Sequence, residues 1–442
     1  MRRLPIAAAL AATAIAVVAA ASWAGIAGPR TAVGTAAPSF PAGSVLVPTS
    51  PPSTIPPTPV PTQPPPPPPP PPPLSPADRP GLAARLQAAL ERERIALAAP
   101  GIQATVLFAD GRSWTGMAGF ADLATKRPLE ATTPFAIASV SKTFLAAEIL
   151  LLVKEGRVTL DAAVATLLPG TLVGGARIDP GITVRMLLDH TSGLGDYLVN
   201  RRLDLLVEAE PTARWSTKRA LSFAGKAVGK PGAGYHYANT NYVLLGLIAE
   251  QATGHSLAQE YRARFFGPLQ MKTASYQGVE KPTAQLPTAY RYASTRLSAP
   301  PADATDGSDI RPFTAITTAA GAAGSIAASS GDLARWARAL YAGGLLPNDL
   351  LAAMLDDAAH TATLKPAARY GLGVQVQQID GRTTYGHSGR LVGARSVVRW
   401  FPTEGIAIAI VSNQARFDLT PVLKDLLTIV APQQVGGGLT LD

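Results

Sequence analysis

Ten consecutive prolines, Pro64 to Pro73, lie within a stretch from residue 29 to about residue 80 that is dominated by Pro, Ser, Thr, Ala and Gly. Proline has no amide hydrogen and its ring fixes φ, so neither a helix interior nor a paired strand can form there. The stretch is expected to be an extended, disordered linker of polyproline II character, rising about 3.1 Å per residue. It divides the chain, and only the part C-terminal to it is long enough to bury a core and still leave a cleft.

Ahead of the linker, Met1-Arg2-Arg3 opens a segment that carries no charge from Leu4 to Gly28 and is rich in Ala, Val and Ile. A short basic start followed by a long apolar run is an export signal. The run is also long enough to span a bilayer, which takes about 20 residues. Residues 1–28 are therefore read as a signal peptide, with small residues at Ser22, Ala24 and Ala27 as cleavage positions, or as a retained membrane anchor. Either way the folded part is expected outside the cytoplasm, secreted or anchored, with the proline linker as a spacer. The chain has no cysteine, which excludes disulfides, thiolate metal sites and a cysteine nucleophile. The net charge is +9, but charged residues are only 16% of the chain and no Lys/Arg run stands out. No nucleic-acid partner is expected; the mildly basic surface suits an anionic cell wall.

From about residue 81 the pattern becomes that of a folded domain. Leu82, Leu86, Leu90 and Ile95 recur at near-helical spacing, and Pro100-Gly101 ends that helix. Gln103–Ala109 and Ser113–Ala118 flank Asp110-Gly111 as a hairpin. Near the other end, Ala394–Phe401 and Ile406–Val411 flank Pro402–Gly405 as a second hairpin, and a helix follows from about Leu419 to Val430. These features predict an α+β domain over residues 81–432. One antiparallel sheet is built from both ends of the folded chain and flanked by helices. A mostly helical insertion covers about residues 160–300, the cleft lies between the two parts, and residues 433–442 form a flexible tail.

Three short motifs carry chemistry. Ser139-Val-Ser-Lys142 opens an apolar helix, and residues three apart share a helix face, which brings the Lys142 amine to the Ser139 hydroxyl. A desolvated lysine can lose its charge and act as the base that a serine nucleophile needs. A serine at a helix start is also an ordinary N-cap, and Ser141 is a second hydroxyl in the motif, although as a sequence neighbour Lys142 does not face it. Tyr237-Ala-Asn239 follows a Gly-rich turn, and in an extended segment its first and third side chains point the same way. A tyrosine hydroxyl can relay a proton; an asparagine amide can bind a substrate carbonyl and hold the lysine. The plainer reading of that segment is a packed tyrosine and an N-cap at Asn239 or Thr240. His387-Ser388-Gly389 precedes the strand from Ala394, where Gly389 would let a substrate approach the strand edge and His387 would line the cleft.

The order of the three motifs, with intervals of 98 and 150 residues, resembles the penicillin-recognising serine hydrolases. That family includes class C β-lactamases, D-alanyl-D-alanine carboxypeptidases and related esterases. Val184–Leu194 with His-Thr-Ser-Gly-Leu, Thr253–Ser256, Gly267–Met271 and Ser329–Asp332 are similar to the same family, and the carboxypeptidase branch is nearest. The resemblance implies Ser139, Lys142 and Tyr237 as catalytic residues, and Asn239, His387, Ser388, Gly389 and Arg390 as substrate-binding ones. The backbone N–H groups of Ser139 and Arg390 would receive the oxyanion. It implies no cofactor, and His190 in a structural loop rather than as a base. The partner expected is a cell-wall peptide or other small substrate. No His-Glu-x-x-His motif is present and no metal is expected. The chain departs from the family at Ala238, where serine is usual, at Arg390, where threonine is usual, and at Gly373–Gln377, which lacks the arginine that some carboxypeptidases use for a substrate carboxylate. A carboxylesterase and a wall-binding protein that kept the fold without the chemistry are the competing readings.

Overall fold

The computed structural model describes residues 81–292, 300–356, 359–361 and 368–431; the expected leader, spacer and C-terminal tail lie outside them. Within the described residues, strands from both ends of the folded part join in one antiparallel sheet whose central strands are buried on both faces. Gly101–Leu107 pairs on one side with Ser113–Asp122 and on the other with Ile406–Ser412. The order continues outward through Ala394–Phe401, Arg382–Leu391 and Gln375–Ile379. In Gly101–Leu107, Ile102, Ala104 and Val106 point to one face, while Gln103 and Thr105 point to the other.

Each face is covered by a different set of helices. Leu82–Ala96 and Thr420–Val430 pack on the first face, burying Leu86, Leu90, Leu423, Leu426 and Leu427 against Ile408 and Ile410. Ile95, expected on that apolar stripe, is 62% exposed. On the second face lies Ser330–Tyr341. Its N-terminus is registered by polar contacts from the sheet: Gln103 Oε1 accepts from the Ser330 N–H at 2.7 Å, and the Thr105 and Ser330 hydroxyls are 2.8 Å apart.

Beyond Ser330–Tyr341 the same core runs into the helical half, which holds Ser141–Lys154 and Asn239–Thr253 with shorter helices and loops around them. Phe144 stacks on Trp336 with ring centroids 3.9 Å apart, and the Trp336 indole N–H donates to Thr143 Oγ1 at 2.8 Å. That pairing fixes the rotation of Ser141–Lys154 about its axis, and so the direction in which its first turn faces. Among the described residues no helix is long and apolar enough to cross a membrane.

Candidate active site

Ser139 stands in a single 3₁₀ turn, Ala138–Val140, that runs directly into the helix Ser141–Lys154. The turn is set by Ala138, a non-glycine residue at φ 48°. Such a left-handed conformation is disfavoured for a residue with a Cβ and persists only where the surroundings enforce it. Here Ile326 enforces it from both sides: its carbonyl accepts from the Ile137 N–H at 3.0 Å, and its N–H donates to Ser141 Oγ at 3.1 Å. Ser141 is thereby buried and engaged, whereas Ser139 remains part-exposed.

Two side chains converge on the Ser139 hydroxyl. Lys142 Nζ lies 3.1 Å from Ser139 Oγ, and the Tyr237 hydroxyl donates to the same oxygen at 3.0 Å. Lys142 is fully buried and also donates to Asn239 Oδ1 and to the Ala323 carbonyl, each at 2.8 Å. Burial lowers the Lys142 amine to about 7, with the Asp196 charge pulling the other way. Burial pushes the Tyr237 phenol above its ordinary value, the Ser139 bond opposes this, and Asp196 adds to it. In the free protein, then, Lys142 passes from ammonium to neutral base around pH 7 while Tyr237 keeps its proton.

The Tyr237-Ala-Asn239 segment is held by a buried histidine. His190 adopts φ 64°, and its Nδ1 accepts from the Ala238 N–H at 3.3 Å and faces the Asn241 amide nitrogen at 3.0 Å. Its ring packs 4.2 Å from that of Tyr237, centroid to centroid. With Nδ1 committed as an acceptor and burial holding the ring's pKa well down, His190 is a neutral brace rather than a proton acceptor for Ser139. Ala238 is extended, which turns Tyr237 and Asn239 to the same side, and the helix Asn239–Thr253 starts immediately after it. Neither Asn239 nor Thr240 caps that helix: Asn239 is spent on Lys142 and Asp196, and Thr240 Oγ1 donates to the Gly195 carbonyl at 2.7 Å.

The third motif lies on the strand Arg382–Leu391, whose outer neighbour pairs only as far as Gly386. The edge beyond Gly386 is open. The Ser388 N–H points to that side, where it donates to Gln375 Oε1 at 3.1 Å. Strand alternation sends the Arg390 N–H to the same side, past the end of the neighbouring strand and beside the Ser139 turn. Gly389 makes the closeness possible in a way the sequence reading did not anticipate. A Cβ there would lie 2.2 Å from the Ile137 carbonyl oxygen and 2.3 Å from Ser396 Oγ, so it is the turn carrying Ser139 that approaches the strand. Gly389→Ala is expected to force the two apart, at a cost of about 1–3 kcal/mol in denaturant unfolding. It should also slow modification by a fluorophosphonate more than about tenfold, as a slip of about 1 Å in such a site costs more than that.

His387 needs correction as a residue of the cleft wall. It is 1% exposed, its Nδ1 faces the Ser388 carbonyl at 2.6 Å, and its Nε2 faces the Tyr370 hydroxyl at 2.9 Å. A carbonyl can only accept, so the ring proton is on Nδ1 and Tyr370 donates to Nε2. Burial lowers the ring to about 3, and it is a neutral strut between the strand and Tyr370, its ring centroid 6.5 Å from that of Tyr237. The Arg390 side chain is exposed, opposite Arg395 in the strand pairing, and has no hydrogen-bond or ion-pair partner among the described residues. Arg395 is paired with Asp418 at 3.1 Å.

Several residues of the site were not singled out from sequence. Asp196 accepts from Asn239 Nδ2 at 2.9 Å. Arg399, 2% exposed, donates through Nη2 to Gln375 Oε1 at 2.7 Å and Gln377 Oε1 at 2.5 Å. Gln375 thus links a buried guanidinium to Ser388. The signal for Asp196 was an acid two residues after the His-Thr-Ser-Gly-Leu stretch; for Arg399 a cation flanked by Val397, Val398, Trp400 and Phe401 within a strand. Among the described residues no group of His, Cys, Asp and Glu is placed to hold a metal ion.

Comparison with known proteins adds to this geometry. The family profile described as "Beta-lactamase" matches residues 86–428. Penicillin-binding protein 4 of Amycolatopsis lactamdurans is 28% identical over 323 residues, 70% of this chain and 80% of that one. Esterase EstB of Burkholderia gladioli is 33% identical over 225 residues, 46% of this chain and 54% of the esterase. The crystal structure of a D-stereospecific amidohydrolase from Streptomyces sp. superposes with a TM-score of 0.67 at 29% identity, covering 79% of this chain and 99% of that one.

Proposed function

The chain belongs to the beta-lactamase family of hydrolases, and on that premise we propose that it is a serine hydrolase working through an acyl-enzyme on Ser139. The acyl donor is a D-amino-acid amide or peptide of cell-wall type, or a β-lactam. The observation that carries this is the convergence of Lys142 and Tyr237 on one hydroxyl, at 3.1 and 3.0 Å. Neutral Lys142 takes the Ser139 proton as Oγ bonds to the carbonyl carbon. The negative oxygen is received by the N–H groups of Ser139 and Arg390, a donor pair of the kind usually worth about 10²–10³ in rate per donor. Tyr237 gives its proton to the departing nitrogen and regains one from Lys142. Water then attacks the ester with the same groups acting in reverse. Intact-protein mass spectrometry after incubation with a panel of penicillin, a D-alanyl-D-alanine peptide, D-amino-acid amides and short esters tests the reading. One acyl mass on Ser139 supports it, and no adduct from any of them returns the protein to a wall-binding role.

The D-amino-acid reading is supported by the D-stereospecific amidohydrolase among the similar structures and by the carboxypeptidase-like motifs. The esterase reading has its own support in EstB and in the absence of an arginine from Gly373–Gln377. Arg390 separates the two. It is an exposed guanidinium with no hydrogen-bond or ion-pair partner among the described residues, and the arginine opposite it, Arg395, already has Asp418, which leaves Arg390 to take an anion from a substrate. In our reading it pairs with a substrate carboxylate. Arg390→Ala is expected to raise KM for carboxylate-bearing substrates about tenfold or more and to leave KM for neutral esters within about twofold. Equal effects on both would remove Arg390 from carboxylate selection. Export, with action at the cell wall from a secreted or membrane-anchored chain, belongs to the same proposal and rests on residues 1–80 of the sequence.

A further inference from the structure

Lys142 has a complete set of partners in both of its protonation states. As an ammonium it has three N–H donors, and three acceptors surround it: Ser139 Oγ, Asn239 Oδ1 and the Ala323 carbonyl. As a neutral amine it has two N–H donors and one lone pair. The Ala323 carbonyl and Asn239 Oδ1 can only accept, so they take the two donors, and the lone pair is left pointing at the Ser139 hydroxyl. That orientation is the one a base needs. It depends on Asn239 presenting its oxygen, rather than its nitrogen, to Lys142.

An asparagine amide is nearly symmetric in shape, and nothing in Asn239 itself decides which end faces the lysine. Asp196 decides it. Its Oδ2 accepts from Asn239 Nδ2 at 2.9 Å, and an ionised carboxylate is an acceptor only, so the amide nitrogen must face Asp196 and the amide oxygen must face Lys142. Asp196 is itself fixed. Its Oδ1 accepts from the Leu198 N–H at 3.0 Å, and the loop carrying it is tied to the Tyr237-Ala-Asn239 segment through Thr240, whose hydroxyl donates to the Gly195 carbonyl at 2.7 Å and accepts from the Tyr197 N–H at 3.2 Å. Burial raises the Asp196 carboxyl, and the Leu198 N–H, the Asn239 amide and Lys142 oppose that and favour its charge.

We infer that Asp196 is a positioning residue that acts through Asn239 to aim the Lys142 lone pair at Ser139. The inference rests on the reading of Ser139 and Lys142 as nucleophile and base. In Asp196→Asn, the new amide can donate to Asn239, and the Asn239 amide is then free to turn its nitrogen toward Lys142. The neutral amine would accept that hydrogen bond with its only lone pair and lose its hold on the Ser139 proton. Other titratable groups around Lys142 are Tyr237 and Tyr242, whose ring centroids lie 5.0 and 5.4 Å from Nζ, and the buried His190 and His387, both held neutral by burial. Asp196 supplies the negative charge among them, with Tyr197 beside it and strongly held in its protonated form.

The test is the second-order rate of Ser139 modification by a fluorophosphonate, followed against pH on the protein and four variants: Asp196→Asn, Asp196→Glu, Asn239→Ala and the double variant Asp196→Asn/Asn239→Ala. Asp196→Asn is expected to lower the high-pH plateau about 10²-fold, the lower end of what a positioned base contributes. It should also move the acid limb to lower pH, because the charge that raises the Lys142 pKa is gone. Asp196→Glu keeps an acceptor-only group and should retain the plateau within about tenfold, with the acid limb unmoved. In an Asn239→Ala background, Asp196→Asn should add less than about a twofold loss, since the intermediary is already absent. If Asp196→Asn fails to fold, Asp196→Glu decides the matter: a folded Asp196→Glu whose plateau falls about 10²-fold or more would overturn the inference. A wild-type plateau for Asp196→Asn, or full additivity with Asn239→Ala, would overturn the inference alone. A wild-type protein never modified at Ser139 would overturn the reading beneath it, and the inference with it.

Discussion

Ser139→Ala is expected to lose covalent modification by a fluorophosphonate or penicillin completely and to lower turnover by at least about 10⁴-fold, while the melting temperature moves by only a few degrees. Both Lys142 and Tyr237 direct their polar atoms at this one oxygen, so its removal leaves a base and a proton relay with nothing to activate. Loss of the nucleophile from a unit that acts together costs about as much as loss of the whole unit. Ser141 cannot substitute, because it is buried and its hydroxyl accepts from the Ile326 N–H at 3.1 Å. The fold survives because the turn is held by backbone bonds around Ile137 and Ile326 rather than by the Ser139 side chain. Peptide mapping of the modified protein reads the outcome directly. Normal labelling of the variant, or loss of labelling in Ser141→Ala instead, would move the nucleophile elsewhere.

Lys142→Met is expected to slow acylation by about 10²–10⁴-fold, the usual contribution of a positioned base. It should also erase the acidic limb of the rate profile. With the Lys142 amine lowered to about 7, the neutral form becomes the majority as pH rises through that value, so wild-type kcat/KM should climb across pH 7 and level off above it. His387 does not set that limb, because burial holds it at about 3, and Tyr237 keeps its proton throughout the range. The same residue has a signature in stability. The lysine pKa falls from 10.5 in the unfolded chain to about 7 in the folded one, so the unfolded state binds more protons between those values. Lys142 therefore opposes folding fully below about pH 7, and that opposition fades as pH rises toward 10.5. The melting temperature of Lys142→Met, measured against wild type, should shift in the variant's favour as pH falls from 10.5 to 7. A constant difference across that window would mean that Lys142 is charged in the folded protein, and the base would have to be sought elsewhere.

The chain itself determined the periodic and local features. The β-branched and apolar runs within Ala394–Phe401 and Ile406–Ser412, and the turn residues between them, set that hairpin. The helix and hairpin at the start of the domain followed from the same kinds of signal, as did the joining of both ends in one sheet. The three-residue spacing of Ser139 and Lys142, and the two-residue spacing of Tyr237 and Asn239, already placed each pair on one side of its own segment. Local periodicity needs only neighbours along the chain, which is why it could be read.

What only the tertiary structure decided is what each polar group faces. Ser139 and Ser141 are alike in sequence, but Ile326 takes one hydroxyl and leaves the other to Lys142 and Tyr237. His387 appeared fit to line a cleft, yet Tyr370 and Ser388 occupy both of its nitrogens. Gly389, expected where a substrate nears the strand edge, is also where the Ile137 carbonyl comes close to the strand. Asp196 and Arg399 carried no motif at all, and each gains its part in the site from a partner more than 20 residues away, Asn239 for one and Gln375 for the other. Desolvation, which moves the Lys142 amine to about 7, is likewise a property of the packed core. A hydrogen bond and a dielectric environment are set by distance in space, and segments far apart in sequence acquire that distance only when the sheet closes and the helical half packs against it.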